Sequence, residues 1–142
     1  MLMTLLGQKV QIVDAMTDWK EAIRYSAEPL LANDSIEDRY IDAMIAMCEQ
    51  LDAYIVLADL FAMPHASPGS GAKKMDVALT IVKEPVDFMG KPVQVLLTLA
   101  AVDSNSHLEL LQQVATTMGD PEKIAQLIAA KDTDSILQIL AE

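Results

Sequence analysis

An α/β fold with helices on both faces of a sheet is predicted by three features of the sequence. Two stretches near the start repeat apolar residues at helical spacing, and two later ones, 77–82 and 93–99, are apolar at nearly every position. A strand apolar on both sides belongs to a sheet covered on both faces. Three helix start signals follow in the last forty residues, which supplies the material for the second cover. The 142 residues, 52% hydrophobic and 22% charged, suit one packed core spanning 1–142 and are too few for two independent ones.

The opening Met1-Leu2-Met3-Thr4-Leu5-Leu6 is apolar but lacks a basic leading region and runs into Gly7-Gln8-Lys9, so it is not read as a signal peptide. Thr17 is the expected cap of a helix over about 17–32, with Trp19, Ile23, Ala27, Leu30 and Leu31 on its buried stripe and Pro29 bending or shortening its end. Ser35 opens a second helix, whose stripe is Ile36, Tyr40, Ile41, Met44, Ile45 and Cys48. Residues 54–58, 77–82 and 93–99 read as three strands, being short and rich in β-branched residues. Between the first two, 64–76 reads as a long loop punctuated by Pro64, Pro68, Gly69 and Gly71.

Ser106-His107-Leu108-Glu109 matches a capping box and starts a helix running to about Met118. Asp120-Pro121-Glu122 combines an N-cap, a proline at N1 and a first-turn acid, and the helix continues through Ile124, Leu127 and Ile128. Thr133-Asp134-Ser135 begins the last helix, with Ile136, Leu137, Ile139 and Leu140 apolar.

Ten Lys plus Arg against twenty-one Asp plus Glu leave a net charge of −11, which disfavours nucleic acid and anionic lipid as partners. A docking partner is expected to be neutral or basic at its contact patch. No run of about 18 uncharged apolar residues marks a membrane span. The lone Cys48 permits no intramolecular disulfide, suits a reducing compartment and lies on the apolar stripe of its helix as a buried, inert thiol. These features together predict a cytoplasmic protein.

Candidate chemistry centres on two histidines. His65 follows Met63-Pro64, where proline stiffens the chain, and the small residues of Ala66-Ser67-Pro68-Gly69-Ser70-Gly71 leave one side of its ring uncrowded. His107 falls at N1 of the helix capped by Ser106, among the unpaired N–H groups and positive dipole end that favour an anion such as phosphate. The alternative for each is a solvated histidine without a role. Two histidines 42 positions apart plus one cysteine make no zinc spacing, so no metal is expected. Gly69-Ser70-Gly71-Ala72-Lys73-Lys74 lacks the phosphate-loop spacing, and Ser67 and Ser70 lack a hydrolase elbow. No cofactor is implied.

Leu60-Phe61-Ala62-Met63-Pro64-His65-Ala66 resembles the signature of the mannitol/fructose class of enzyme IIA proteins of the bacterial sugar phosphotransferase system. Ala100-Ala101-Val102-Asp103-Ser104-Asn105-Ser106-His107 is similar to that class's second-histidine segment, in wording nearest the ascorbate-type branch. The resemblance implies a three-layer α/β/α domain with a mixed sheet of about five strands. It also implies a phosphotransferase activity: His65 takes a phosphoryl group from the histidine phosphocarrier protein and passes it to a cysteine of a IIB component, and through it to the membrane IIC component that selects the sugar. His107 and the adjoining helix start would hold the phosphoryl oxygens, and Leu60, Phe61 and Met63 would form a water-excluding rim or ordinary core. The sequence departs from the pattern at Asp59-Leu60, where ascorbate-type proteins carry Pro-Gly, and at Ser67, where they carry a basic residue. Mannitol-type members have an arginine shortly before the motif, whereas Met47-Cys48-Glu49-Gln50 has none. These departures, which place an acid near the ring and remove a cation, motivate the alternative of a regulatory, phosphorylation-dependent binding module without sugar delivery.

Overall fold

The computed structural model describes residues 1–103 and 108–142. Its elements run α1 (Leu2–Leu6), β1 (Val10–Val13), α2 (Trp19–Ala32), α3 (Asp38–Gln50), β2 (Val56–Ala58), β3 (Leu60–Ala62), β4 (Asp76–Phe88), β5 (Lys91–Ala100), α4 (Leu108–Met118), α5 (Pro121–Ala129) and α6 (Thr133–Ala141). The strands form one five-stranded sheet in the order β1-β4-β5-β3-β2. β1 runs parallel to β4 and β3 parallel to β5, while β4 with β5 and β2 with β3 are antiparallel, so the sheet is mixed.

Alternate side chains of the sheet feed two apolar clusters, as the period of two requires. One face carries Ala78, Val82, Val93 and Leu96 against Ile23, Ala27 and Leu30 of α2 and Tyr40, Ile41 and Met44 of α3. The other carries Leu79, Ile81, Val95 and Leu97 against Leu6 of α1, Leu110 and Val114 of α4, Leu127 of α5 and Ile136 of α6. The three-layer arrangement expected from the continuous apolar strands is therefore present. Among the described residues, no helix is long and apolar enough to cross a membrane.

Several local expectations are corrected. Asp18, not Thr17, caps α2, its carboxylate accepting from the Glu21 N–H at 2.9 Å. Pro29 neither shortens nor ends α2, which continues to Ala32. The proline removes the N–H that would bond the Tyr25 carbonyl four residues back, and the Gln11 side-chain amide donates to that carbonyl instead at 3.0 Å. Ser35 does not cap α3, whose N-cap position is Glu37 with no side-chain capping bond. The last helix does begin at Thr133, and Asp132 before it is the cap, accepting from the Ser135 N–H.

The strand reading located three of five strands and cut two of them short. β4 runs six residues past Val82, through Lys83-Glu84-Pro85, which reads as a strand end. Its pairing with β5 shifts between Ile81 and Val86, and the Gln94 amide there donates to the Lys83 carbonyl at 2.8 Å, so the break is satisfied by a side chain. The β4–β5 hairpin closes on Met89 (φ 55°) and Gly90 (φ 95°), two consecutive left-handed residues of the kind that match strand twist in a two-residue turn. β1, β3 and α1, of four, three and five residues, are too short to show a period in the sequence.

The 64–76 segment is irregular but tied down. The Gly71 carbonyl accepts from the Glu37 N–H at 2.8 Å, and the Lys73 N–H donates to the Ser35 carbonyl at 2.8 Å. Gly71 has φ 128°, and a Cβ there would meet the Tyr40 backbone nitrogen at 3.1 Å, so glycine is required by both conformation and close approach.

At the start of β4, buried Asp76 gathers Ser35 Oγ (2.5 Å), Asn33 Nδ2 (2.9 Å), its neighbour's Val77 N–H (2.9 Å) and Lys9 Nζ (3.2 Å). Burial pushes its carboxyl up, but these donors outweigh burial and hold it below the usual carboxylate range. A lowered folded value means the carboxylate stabilises the fold fully above its unfolded pKa and loses that contribution as pH falls through the folded one. Asp76→Asn is therefore expected to lower the unfolding free energy by about 1–3 kcal/mol at neutral pH. In urea titrations the gap from wild type should close below about pH 4; a gap that stays constant with pH would contradict this account.

Cys48 is fully buried, and burial pushes its thiol up to about 11. It is the inert core residue its stripe position predicts.

Candidate functional site

His65 is placed by two strands. The Met63 N–H donates to the Ile55 carbonyl at 2.9 Å as β3 ends, and one residue on, the Pro64 carbonyl accepts from the Leu99 N–H of β5 at 2.9 Å. The peptide carrying the histidine is thereby held at the carboxyl ends of the parallel pair β3 and β5.

The half-buried imidazole is fixed by both nitrogens. Nδ1 lies 2.8 Å from the Met63 carbonyl oxygen, which only accepts, so Nδ1 carries the hydrogen and donates. The lone pair of the neutral ring then sits on Nε2, 3.2 Å from the Tyr54 hydroxyl, which donates to it. The two rings meet edge to face, with centroids 5.3 Å apart and planes at 72°. Burial, followed by the nearby Cys48 and Tyr40, pushes the Tyr54 phenol up, so Tyr54 remains a donor at neutral pH.

Tyr54 reaches this position because Asp52 (φ 55°) and Ala53 (φ 58°) reverse the chain after α3 in two consecutive left-handed steps. The Lys91 ammonium donates to the Asp52 carbonyl at 3.3 Å and supports that turn. Residues 54–58 were expected to form a strand throughout; the strand begins only at Val56, and Tyr54 belongs to the turn.

A second tyrosine organises the floor. Fully buried Tyr40 donates its hydroxyl hydrogen to the Leu99 carbonyl at 2.8 Å and accepts from the Ala66 and Ala101 N–H groups, each at 3.1 Å. One oxygen thus joins the segment after His65 to the segment after β5. Sequence reading placed Tyr40 only in the apolar stripe of α3 and did not single out either tyrosine. An aromatic stripe does not disclose where a hydroxyl points.

The cleft beside His65 has a volume of about 290 Å³ and is lined by Met47, Tyr54, Met63, Ser67, Asp103 and Leu111, among others. Ser67 contacts the Met47 sulfur at 3.6 Å. Among the described lining residues there is no lysine or arginine, so hydroxyls and N–H groups are the donors available to an anion there.

Of the three expected rim residues, Met63 lines the cleft. Phe61 is buried in the same apolar cluster as Met63, with Leu60 packed against it, and neither Phe61 nor Leu60 lines the cleft. Asp59, expected near the reactive ring, stands instead in the β2–β3 turn, at the opposite end of β3 from His65. His107 and the Ser106 capping position lie outside the described residues; the flanking Asp103 lines the cleft.

Compared with known proteins, residues 4–142 match the family described as phosphoenolpyruvate-dependent sugar phosphotransferase system, EIIA 2. The ascorbate-specific EIIA component of Shigella boydii is 41% identical over 95 residues, which are 65% of this chain and 62% of that protein. The chain thus spans less than two thirds of the length of that relative. The solution structure of the cryptic mannitol-specific enzyme IIA of Escherichia coli superposes with a TM-score of 0.90 at 30% identity, covering 99% of this chain and 97% of that one. The same fold, with a TM-score of 0.80, 20% identity and 95% coverage of both chains, occurs in the mannitol enzyme IIA of Escherichia coli, solved in complex with phosphorylated enzyme IIB.

Proposed function

This chain belongs to the type 2 EIIA family of the phosphoenolpyruvate-dependent sugar phosphotransferase system, and from that membership we propose that it is a phosphoryl carrier working through His65. The observation that carries this reading is the ring's hydrogen bonding: with Nδ1 committed to the Met63 carbonyl, Nε2 is the nitrogen left to attack, held by the Tyr54 hydroxyl in a ring that lines the cleft. Nε2 attacks phosphorus as the bond to the donor nitrogen breaks, and a second in-line exchange returns the group to an acceptor. Met63 and Leu111 keep water scarce beside the intermediate.

The donor is the histidine phosphocarrier protein and the acceptor a cysteine of a IIB component, which serves a membrane IIC component. The complex with phosphorylated IIB solved for the mannitol protein supports the second partner. His107 supplies an N–H to the phosphoryl oxygens, with the helix start beside it. The uptake system handles ascorbate or a related carbohydrate, as the name of the Shigella relative suggests. The protein acts as one domain in the cytoplasm, without metal or cofactor.

Incubation with phosphoenolpyruvate, enzyme I and the phosphocarrier protein tests this. One acid-labile, base-stable phosphate is expected on Nε2 of His65, and added IIB should discharge it. Absence of uptake, or a phosphate elsewhere, would overturn the reading. The regulatory alternative predicts a phosphorylated protein that no IIB discharges. One of its motives is weakened, because Asp59 is at the other end of β3 from the ring.

A further inference from the structure

Tyr54 stands beside the ring nitrogen that must attack phosphorus. Its hydroxyl stands 3.2 Å from Nε2, and its other hydrogen-bond neighbour is the Met47 sulfur at 4.0 Å, a weak acceptor. The hydroxyl is therefore free to exchange one acceptor for another at little cost. Once a phosphoryl group is bonded to Nε2, an equatorial oxygen falls within hydrogen-bond reach of a phenol oxygen that already stands beside that nitrogen. No lysine or arginine among the described lining residues competes for that oxygen.

We propose that Tyr54 is a catalytic residue of the phosphoryl exchange, its hydroxyl covering the Nε2 lone pair at rest and turning to an equatorial phosphoryl oxygen in transfer. This rests on His65 being the phosphoryl carrier. In the forward step the Nε2–P bond forms while the bond between phosphorus and the donor imidazole nitrogen breaks, its electron pair staying on that nitrogen. Tyr54 keeps its proton throughout; only the acceptor of its hydrogen bond changes. When a thiolate acceptor takes the phosphoryl group, an S–P bond forms, the N–P pair returns to Nε2, and the hydroxyl covers it again. The arrangement shields the resting ring and supplies a donor only when charge develops.

Tyr54→Phe keeps the aromatic ring and its edge-to-face contact and removes the hydroxyl alone. Uptake from the phosphocarrier protein and discharge to IIB should both slow about tenfold or more. A role confined to packing would not move the ¹⁵N resonance of Nε2, which in the wild type should be displaced from that of a free unprotonated ring nitrogen and in Tyr54→Phe should return toward it. Folded Tyr54→Phe protein with both rates within about twofold of wild type would overturn the proposal, whatever the resonance shows. If the variant does not fold, the wild-type resonance decides: a free-ring value overturns the proposal and a displaced one supports it. His65→Gln separates the two readings. Normal labelling of that variant removes the carrier role itself, whereas loss of labelling there beside unchanged Tyr54→Phe rates removes only the role of Tyr54.

Discussion

His65→Gln is expected to abolish phosphoryl uptake, with radiolabel from phosphoenolpyruvate falling to the level of a mixture lacking this protein. Glutamine retains a donor for the Met63 carbonyl, but the lone pair of its amide nitrogen is delocalised into the carbonyl and is no nucleophile. The fold should survive, because the half-buried ring packs at the cleft and belongs to neither apolar cluster. Circular dichroism and thermal melting close to wild type would accompany the lost activity. A labelled variant would mean that another residue carries the phosphate.

Tyr40→Phe carries the largest expected effect on stability. Removing one hydroxyl leaves the buried Ala66 and Ala101 N–H groups and the Leu99 carbonyl each short of a partner. Each unsatisfied buried group costs about 1–3 kcal/mol, partly relieved by local adjustment, so a loss of about 2–4 kcal/mol is expected. For a chain of this size that lowers the melting temperature by roughly 5–15 °C. The ring itself fits unchanged, so a drop of under about one degree would show that the three bonds contribute little. The loss falls on the functional side too, because the same oxygen holds the segment that follows His65, and transfer should slow even in protein that remains folded.

The legible parts of the fold were those where a local signal and the tertiary outcome coincide. Asp120-Pro121-Glu122 is an example: the Asp120 side chain caps α5 through the Glu122 N–H, with proline at the first turn, as the three residues alone imply. Asp18 and Thr17, or Asp132 and Thr133, are adjacent residues of equal capping chemistry, and only the backbone decides which of them stands outside the helix. Ser35 shows the opposite case. Its hydroxyl was more valuable to a distant carboxylate 41 residues along the chain than to the helix beside it.

The site divides in the same way. Met63-Pro64-His65 is contiguous and announces a stiffly held imidazole. The hydroxyls of Tyr40 and Tyr54 act on groups 26 and 11 residues away or more, across a strand and a turn. No periodicity carries that information. The two left-handed residues that aim Tyr54, Asp52 and Ala53, are of types that give little sequence warning of such a turn.

The central β4–β5 hairpin joins neighbours in the chain, whereas β1 meets β4 across some sixty-nine positions. Short-range pairing forms early and loop closure delays the rest, so the hairpin is the natural seed of assembly and, once native, its inner amides are the slowest to exchange with solvent. The Leu99 N–H that holds the Pro64 carbonyl belongs to that seed. The nucleophile's own peptide is consequently stitched to the part of the molecule that opens least often, which keeps the ring in register while the outer strands breathe.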